Sequence, residues 1–280
     1  MEDFIEVNGI KLWYRITGEG EPVLQLHGCG FGHFNFDAAT PILSKKFKVI
    51  DFDMRGYGQS DRPEQDYDME VWADDAAALL VALGIEKAHI HGTSMGGMVA
   101  QVFAAKYPEM TQSVVVNCSA AKLDRYGKLL FKNWRDLAES SGPDSRVLAE
   151  LISWQALSAQ FLESEGSEGL VDGIHQILSD SNSKAVFIAA VDSIINLDIR
   201  DHAKAITSPA LVLGGDIDPM TPWNHAPSGA GQQWLADNIP GAEKYVIAGS
   251  SHSTIFDNTE EHCRVVESFF TRNALALKAS

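Results

Sequence analysis

Gly92-Thr93-Ser94-Met95-Gly96-Gly97 is the stretch on which the reading of this chain turns. It follows residues 88–91, a short apolar run that reads as a strand. It opens residues 95–107, a stretch of helical spacing closed by Pro108. A G-x-S-x-G run in that setting marks a tight strand-to-helix turn that holds its serine in a strained backbone conformation. Glycine at 92 and 96 lets neighbouring chain segments pass close to the turn. The serine hydroxyl is lifted above the strand at a helix N-terminus, where free amides and the helix dipole favour developing negative charge. Ser94 is therefore the candidate nucleophile. An ordinary strand-to-helix turn is the alternative, and the flanking elements argue against it.

Outward from this turn, strand and helix alternate. Residues 4–7 and 10–16 alternate apolar and polar around Asn8-Gly9, a hairpin signal. Residues 22–26, 47–52, 113–117, 209–213 and 243–247 read as further strands. Residues 34–45, interrupted by Pro41, and 69–83, stopped at Gly84, read as helices, as do residues 259–272 near the end. Such alternation predicts a mostly parallel sheet with helices on both faces, carrying antiparallel strands at one edge. From about 124 to 205 the pattern is helical only, with candidates at 125–139, 145–163, 169–178 and 183–197. The expected organisation is an α/β core, residues 1–120 and 206–280, split by a helical insertion at 121–205.

The 280 residues suffice for one well-buried core with an insertion, and 45% hydrophobic with 21% charged residues is an ordinary globular balance. The formal charge is −16, from 22 basic and 38 acidic residues. Such a surface repels phosphate backbones and anionic lipid, which argues against nucleic acid and membranes as partners. Three cysteines without close pairs do not form a disulfide framework or a metal-binding pattern. Neither a metal nor another cofactor is expected. The acidic start MEDFIEVNGI does not read as a signal peptide, and no window approaches 18 consecutive apolar residues. The expected location is the cytoplasm and the expected partner a small-molecule substrate; a homodimer is compatible with the sequence.

A serine hydroxyl needs a base. Of nine histidines, His252 lies in a loop directly after the strand at 243–247, at the strand end where sites on parallel sheets form. The base needs an anion to fix its tautomer and stabilise its charged form. Asp216 and Asp218 both follow the strand at 209–213; we take Asp218, with Asp216 as its rival. The order Ser, Asp, His differs from the chymotrypsin and subtilisin orders. An oxyanion needs preorganised donors, and the backbone amides of Met95 and of Cys29, in the loop His27-Gly28-Cys29-Gly30-Phe31-Gly32, are the candidates. Trp134, Trp154, Phe161 and Phe187 fall on predicted helices of the insertion, and Trp223 follows the acid loop. Trp154 and Trp223, with Phe31 and Phe34, are the candidate substrate-binding residues; packing onto the core is the alternative for each.

These pieces together resemble the α/β-hydrolase superfamily over nearly the whole chain: Leu26-His27-Gly28-Cys29-Gly30, Asp51-Phe52-Asp53-Met54-Arg55-Gly56-Tyr57-Gly58-Gln59-Ser60, His91 to Gly97, Leu213 to Asp218 and Ser251-His252. The resemblance implies an eight-stranded sheet with a helical cap after strand six. It places the acid three positions after a glycine, which from Gly215 selects Asp218. The stretch 197–222 is similar to that of 3-oxoadipate enol-lactonases and small esterases. The loop at 27–32 resembles that of C–C bond hydrolases, with Phe31 where they carry proline. Ser94 is unlike the aspartate nucleophile of epoxide hydrolases and haloalkane dehalogenases. Residues 225–233 look like a small insertion. The resemblance implies hydrolysis of a small carboxylic ester or lactone through an acyl-Ser94 intermediate. The alternatives are amide or C–C bond cleavage (β-diketone type) with the same triad, and a non-catalytic ligand receptor on the same scaffold.

Overall fold

In the computed structural model, which describes residues 1–224 and 226–274, eight strands form one sheet in the order β1-β2-β4-β3-β5-β6-β7-β8. They are β1 (Glu2–Val7), β2 (Ile10–Thr17), β3 (Glu21–Leu26), β4 (Phe47–Phe52), β5 (Ala88–Thr93), β6 (Thr111–Asn117), β7 (Ala210–Gly215) and β8 (Glu243–Ile247). The β1–β2 and β2–β4 pairs are antiparallel; every later pair is parallel. The first hairpin closes on Asn8 and Gly9, both at positive φ (49° and 74°), the geometry that matches strand twist.

The strand side chains divide by the period of two. Val114, Val116 and Val212 join one apolar cluster, while Val115, Leu211 and Leu213 join another across the sheet. Helices α1 (Thr40–Leu43) and α12 (Thr259–Arg272) cover the second face, and α2 (Met69–Ala82) and α3 (Met95–Lys106) the first. Between β6 and β7 stand α4 (Arg125–Ser141), α5 (Arg146–Ala156), α6 (Ala159–Leu162), α7 (Leu170–Ser181), α8 (Lys184–Ile195) and α9 (Arg200–Ala205); α10 (Gln232–Asn238) and α11 (Thr254–Asp257) belong to the C-terminal part. Leu130, Phe131, Ile152 and Phe187 of the inserted helices belong to the same cluster as the first sheet face, so the insertion packs down onto the core. Among the described residues no helix is long and apolar enough to cross a membrane.

Two of the expected helices are broken up in the structure. The helix read at 34–45 is a 3₁₀ turn, Gly32–Phe36, followed by a single α turn with Pro41 at its start, because proline removes a backbone donor and fits only at a helix start. The helix read at 145–163 breaks after Ala156: Leu157 is extended, and Ser158 caps α6 by accepting the Phe161 N–H at 3.1 Å. The insertion read at 225–233 begins at His225, which lies outside the described residues. Its later part is anchored, since the Ala230 carbonyl accepts the Ala121 N–H at 2.7 Å.

Parallel pairing sends the carboxyl ends of β3, β5, β6, β7 and β8 to one rim. The loops after those five strands carry all the residues singled out for chemistry except Trp154, which sits in the insertion above them.

Candidate active site

Ser94 occupies φ 55° and ψ −120°, a conformation L-residues rarely adopt. Two contacts hold it there. Its N–H donates to the Asn117 carbonyl at 2.9 Å and its carbonyl accepts the Ser119 hydroxyl at 2.8 Å. The glycines show why the turn tolerates nothing larger. A Cβ on Gly96 would stand 1.9 Å from the Leu26 carbonyl oxygen, and one on Gly92 would stand 2.2 Å from that of Gly96.

The Ser94 hydroxyl lies 2.9 Å from His252 Nε2, and His252 Nδ1 lies 3.0 Å from Asp218 Oδ2. Serine O–H to imidazole, and imidazole N–H to carboxylate, is one continuous series. Asp218 is 3% exposed, and a bare carboxylate so deep would be costly. Its Oδ1 accepts the N–H groups of Met220 and Thr221 at 2.8 and 3.0 Å, and its Oδ2 accepts the Thr221 hydroxyl at 2.8 Å and Gln232 Nε2 at 3.2 Å. Burial pushes this carboxyl up, but attraction to His252 and the hydrogen bonds from His252 and Thr221 outweigh it and hold it below its ordinary value. Asp216 is turned elsewhere: it is exposed and its Oδ1 accepts the Gly249 N–H at 2.7 Å.

Most other described histidines have separate duties. His27 donates from Nδ1 to the Gly28 carbonyl (2.8 Å) and accepts the Met54 N–H at Nε2 (3.0 Å), a pairing only the neutral ring can make. Burial lowers it to about 4. His33 bonds Asp53 at 2.8 Å, which ties the 27–37 loop to the end of β4. His91 and His262 stack, with their Nε2 atoms 3.2 Å apart.

The Cys29 amide has no protein acceptor among the described residues, and the Met95 amide, at the first position of α3, has none within its helix. Both residues flank Ser94: Gly28 and Cys29 line the cavity above it, and a Cβ on Gly28 would come within 3.4 Å of the Ser94 Cβ. Asn35 fixes this loop by accepting the Gly28 N–H on Oδ1 at 2.6 Å. The Cys29 thiol is raised to about 12 by burial and is inert.

The cavity above Ser94 measures about 30 Å³ and is lined by Phe31, Trp134, Ile152, Met220 and Phe256 among others. Trp154 is not there. It is 70% exposed, because Ile152 faces the core and two positions on along α5 is the opposite face of the helix. Trp134 lines the cavity instead, its Nε1 donating to Gln155 Oε1 at 2.7 Å. Trp223 is buried outside this cavity, donating to the Gly215 carbonyl at 3.0 Å with Lys244 over its ring at 4.6 Å. Phe34 lines an adjoining cavity.

Sequence reading missed Asn35, Thr221, Gln232 and Asn117. The contact of Asp218 with the Met220 N–H had a signal, since aspartate side chains commonly accept from their own backbone two residues on. Asn117 links the site's loops: its Nδ2 donates to Thr93 Oγ1 and its Oδ1 accepts the Thr254 hydroxyl, both at 2.9 Å. Cys118, Asp218 and His252 place ligand-type atoms within 4.8 Å of one another. Two of those three groups are already engaged with each other, His252 Nδ1 lying 3.0 Å from Asp218 Oδ2, which also accepts the Thr221 hydroxyl at 2.8 Å.

The human (Homo sapiens) serine hydrolase BPHL is 28% identical over 273 residues, covering 95% of this chain and 84% of its own. Two solved structures are similar: the enol-lactonase from Burkholderia xenovorans (25% identity, TM-score 0.85, covering 96% of this chain and 100% of that one) and a thermophilic esterase from Thermogutta terrifontis (25%, 0.84, 98% and 100%). The family model described as alpha/beta hydrolase fold matches residues 21–259. With that match spanning strands β3 to β8, the serine turn and the histidine loop alike, the chain belongs to the alpha/beta hydrolase family and is a hydrolytic enzyme.

Proposed function

We propose that the enzyme cleaves a small carboxylic ester or lactone through an acyl-Ser94 intermediate. The observation that carries this reading is the hydrogen-bonded series from Ser94 through His252 to Asp218, with no break longer than 3.0 Å. His252 Nε2 takes the Ser94 proton as Oγ bonds the carbonyl carbon, and Asp218 stabilises the imidazolium that results. The carbonyl oxygen becomes an oxyanion that the amides of Cys29 and Met95 receive. Collapse expels the alcohol oxygen, which takes the proton from His252. Water, deprotonated by the same nitrogen, then attacks the acyl carbon and releases the acid and free Ser94. In a lactone the expelled alcohol stays joined to the acyl group.

The test is a substrate panel of esters, lactones, amides and β-diketones with wild type and Ser94→Ala. Turnover of esters or lactones that vanishes in Ser94→Ala supports the reading. Turnover confined to amides or β-diketones moves the enzyme to those classes, and undiminished turnover in Ser94→Ala refutes the mechanism.

A further inference from the structure

A second cavity opens beside the first, between α7 and the loop carrying Phe31 and Phe34. The two share Phe31, Asn35, Ala156, Ser253 and Phe256 among their lining residues, so the second cavity adjoins the space next to a carbonyl at Ser94. Their sizes differ: about 30 Å³ over Ser94 and about 170 Å³ beyond. Leu170, Gly173, Ile174 and Ile177 face it at the i, i+3, i+4, i+7 spacing of one helical stripe. A cavity of roughly 150 Å³ walled by such side chains takes up a benzene-sized molecule. Two of its three polar lining side chains, those of Asn35 and Asp37, are already engaged. Asn35 Oδ1 accepts the Gly28 N–H, and Asp37 pairs with Arg15 at 2.9 Å. No lysine or arginine lines it among the described residues.

We propose that this second cavity is a substrate subsite for one uncharged, ring-sized apolar group carried on one side of the scissile carbonyl, the other side being limited to one or two carbons. The proposal rests on Ser94 being the nucleophile.

Four esters test it: methyl acetate, benzyl acetate, methyl phenylacetate and benzyl phenylacetate. One of the two single-ring esters is expected to exceed methyl acetate in kcat/KM by about 100-fold, the worth of burying one phenyl group. Benzyl phenylacetate is expected to fall at least about 10-fold below the preferred single-ring ester, since its second ring has no cavity. Gly173→Leu adds a side chain on the stripe, where a Cβ meets nothing within 4 Å. It is expected to remove most of the ring preference and to leave methyl acetate turnover unchanged. Ile177→Ala, which enlarges the same wall, should shift the preference towards a larger apolar group.

Comparable kcat/KM for all four esters, preference for the two-ring ester, or ring selectivity unmoved by both variants would overturn the subsite. Calorimetric binding of the same esters to Ser94→Ala separates the two claims. Ring-dependent binding without any wild-type ester hydrolysis sinks the nucleophile and keeps the subsite. Methyl acetate hydrolysis without ring preference does the reverse.

Discussion

Asp218→Asn replaces a group with two acceptor oxygens by one with a single acceptor and two donors, and the site dictates which way the amide turns. The N–H groups of Met220 and Thr221 both point at Oδ1, at 2.8 and 3.0 Å. They are fixed backbone donors, so the asparagine oxygen must stay there. Its NH₂ then takes the Oδ2 place, facing Gln232 Nε2 at 3.2 Å and His252 Nδ1 at 3.0 Å. The first is a clash of donors. The second reverses the imidazole: Nδ1 must accept, Nε2 carries the proton, and that proton faces Ser94 Oγ at 2.9 Å. A base already protonated at the reacting nitrogen cannot take the serine proton, and the anion that stabilises imidazolium is gone. The same tautomer error costs a serine protease about 10⁴-fold in kcat, or about 5 kcal/mol of barrier. We expect a loss of about 10³- to 10⁴-fold in kcat/KM on p-nitrophenyl acetate, with the far-UV circular dichroism unchanged. Asp216→Asn, whose exposed carboxylate accepts the Gly249 amide, should stay within about 3-fold of wild type, as surface changes do. Asp218→Asn within 10-fold of wild type, or a larger loss in Asp216→Asn, would refute this reasoning.

Three further outcomes follow from the geometry. Burial lowers His27 to about 4 and His262 to about 3, and lowers His91 as well, from an unfolded value near 6.5. The unfolded chain therefore binds more protons in acid, so their stabilisation is complete above pH 6.5 and is lost as pH falls towards about 4 and 3. At pH 5.5 this is about 1 kcal/mol per ring, so calorimetry should find Tm about 5 °C or more below its pH 7.5 value; a flat profile contradicts it. Gly96→Ala drives a methyl against the Leu26 carbonyl at 1.9 Å and should cost at least about 3 kcal/mol in urea unfolding, where a loss under 1 kcal/mol would show that the turn relaxes freely. Ser94→Gly should be more stable than Ser94→Ala by about 1 kcal/mol, because only glycine is at ease at φ 55°; equal stabilities would mean the turn holds no strain.

Much of this architecture is legible in the sequence because its devices are local. Asn8-Gly9 sets a hairpin, Val-rich runs become buried strands, and Gly92 and Gly96 admit a turn that any side chain would jam. Ser94, His252 and Asp218 stand out because each follows a strand, and parallel strands end at one rim. What stayed hidden depends on tertiary contact. Gln232 reaches Asp218 across 14 residues and Asn35 holds the amide of Gly28, with no pattern to announce either. The choice between Trp134 and Trp154 depended on helix phase, and the break after Ala156 shifts the phase by which a single long helix would be judged.

The most direct test of the account is the site of covalent labelling by a fluorophosphonate, read by peptide mass spectrometry on the intact enzyme. The account predicts one adduct per chain, on Ser94, formed rapidly in wild type, slowed about 10³-fold or more in Asp218→Asn and absent in Ser94→Ala. An adduct on another residue, or labelling of Ser94 that is indifferent to loss of the Asp218 charge, would contradict it.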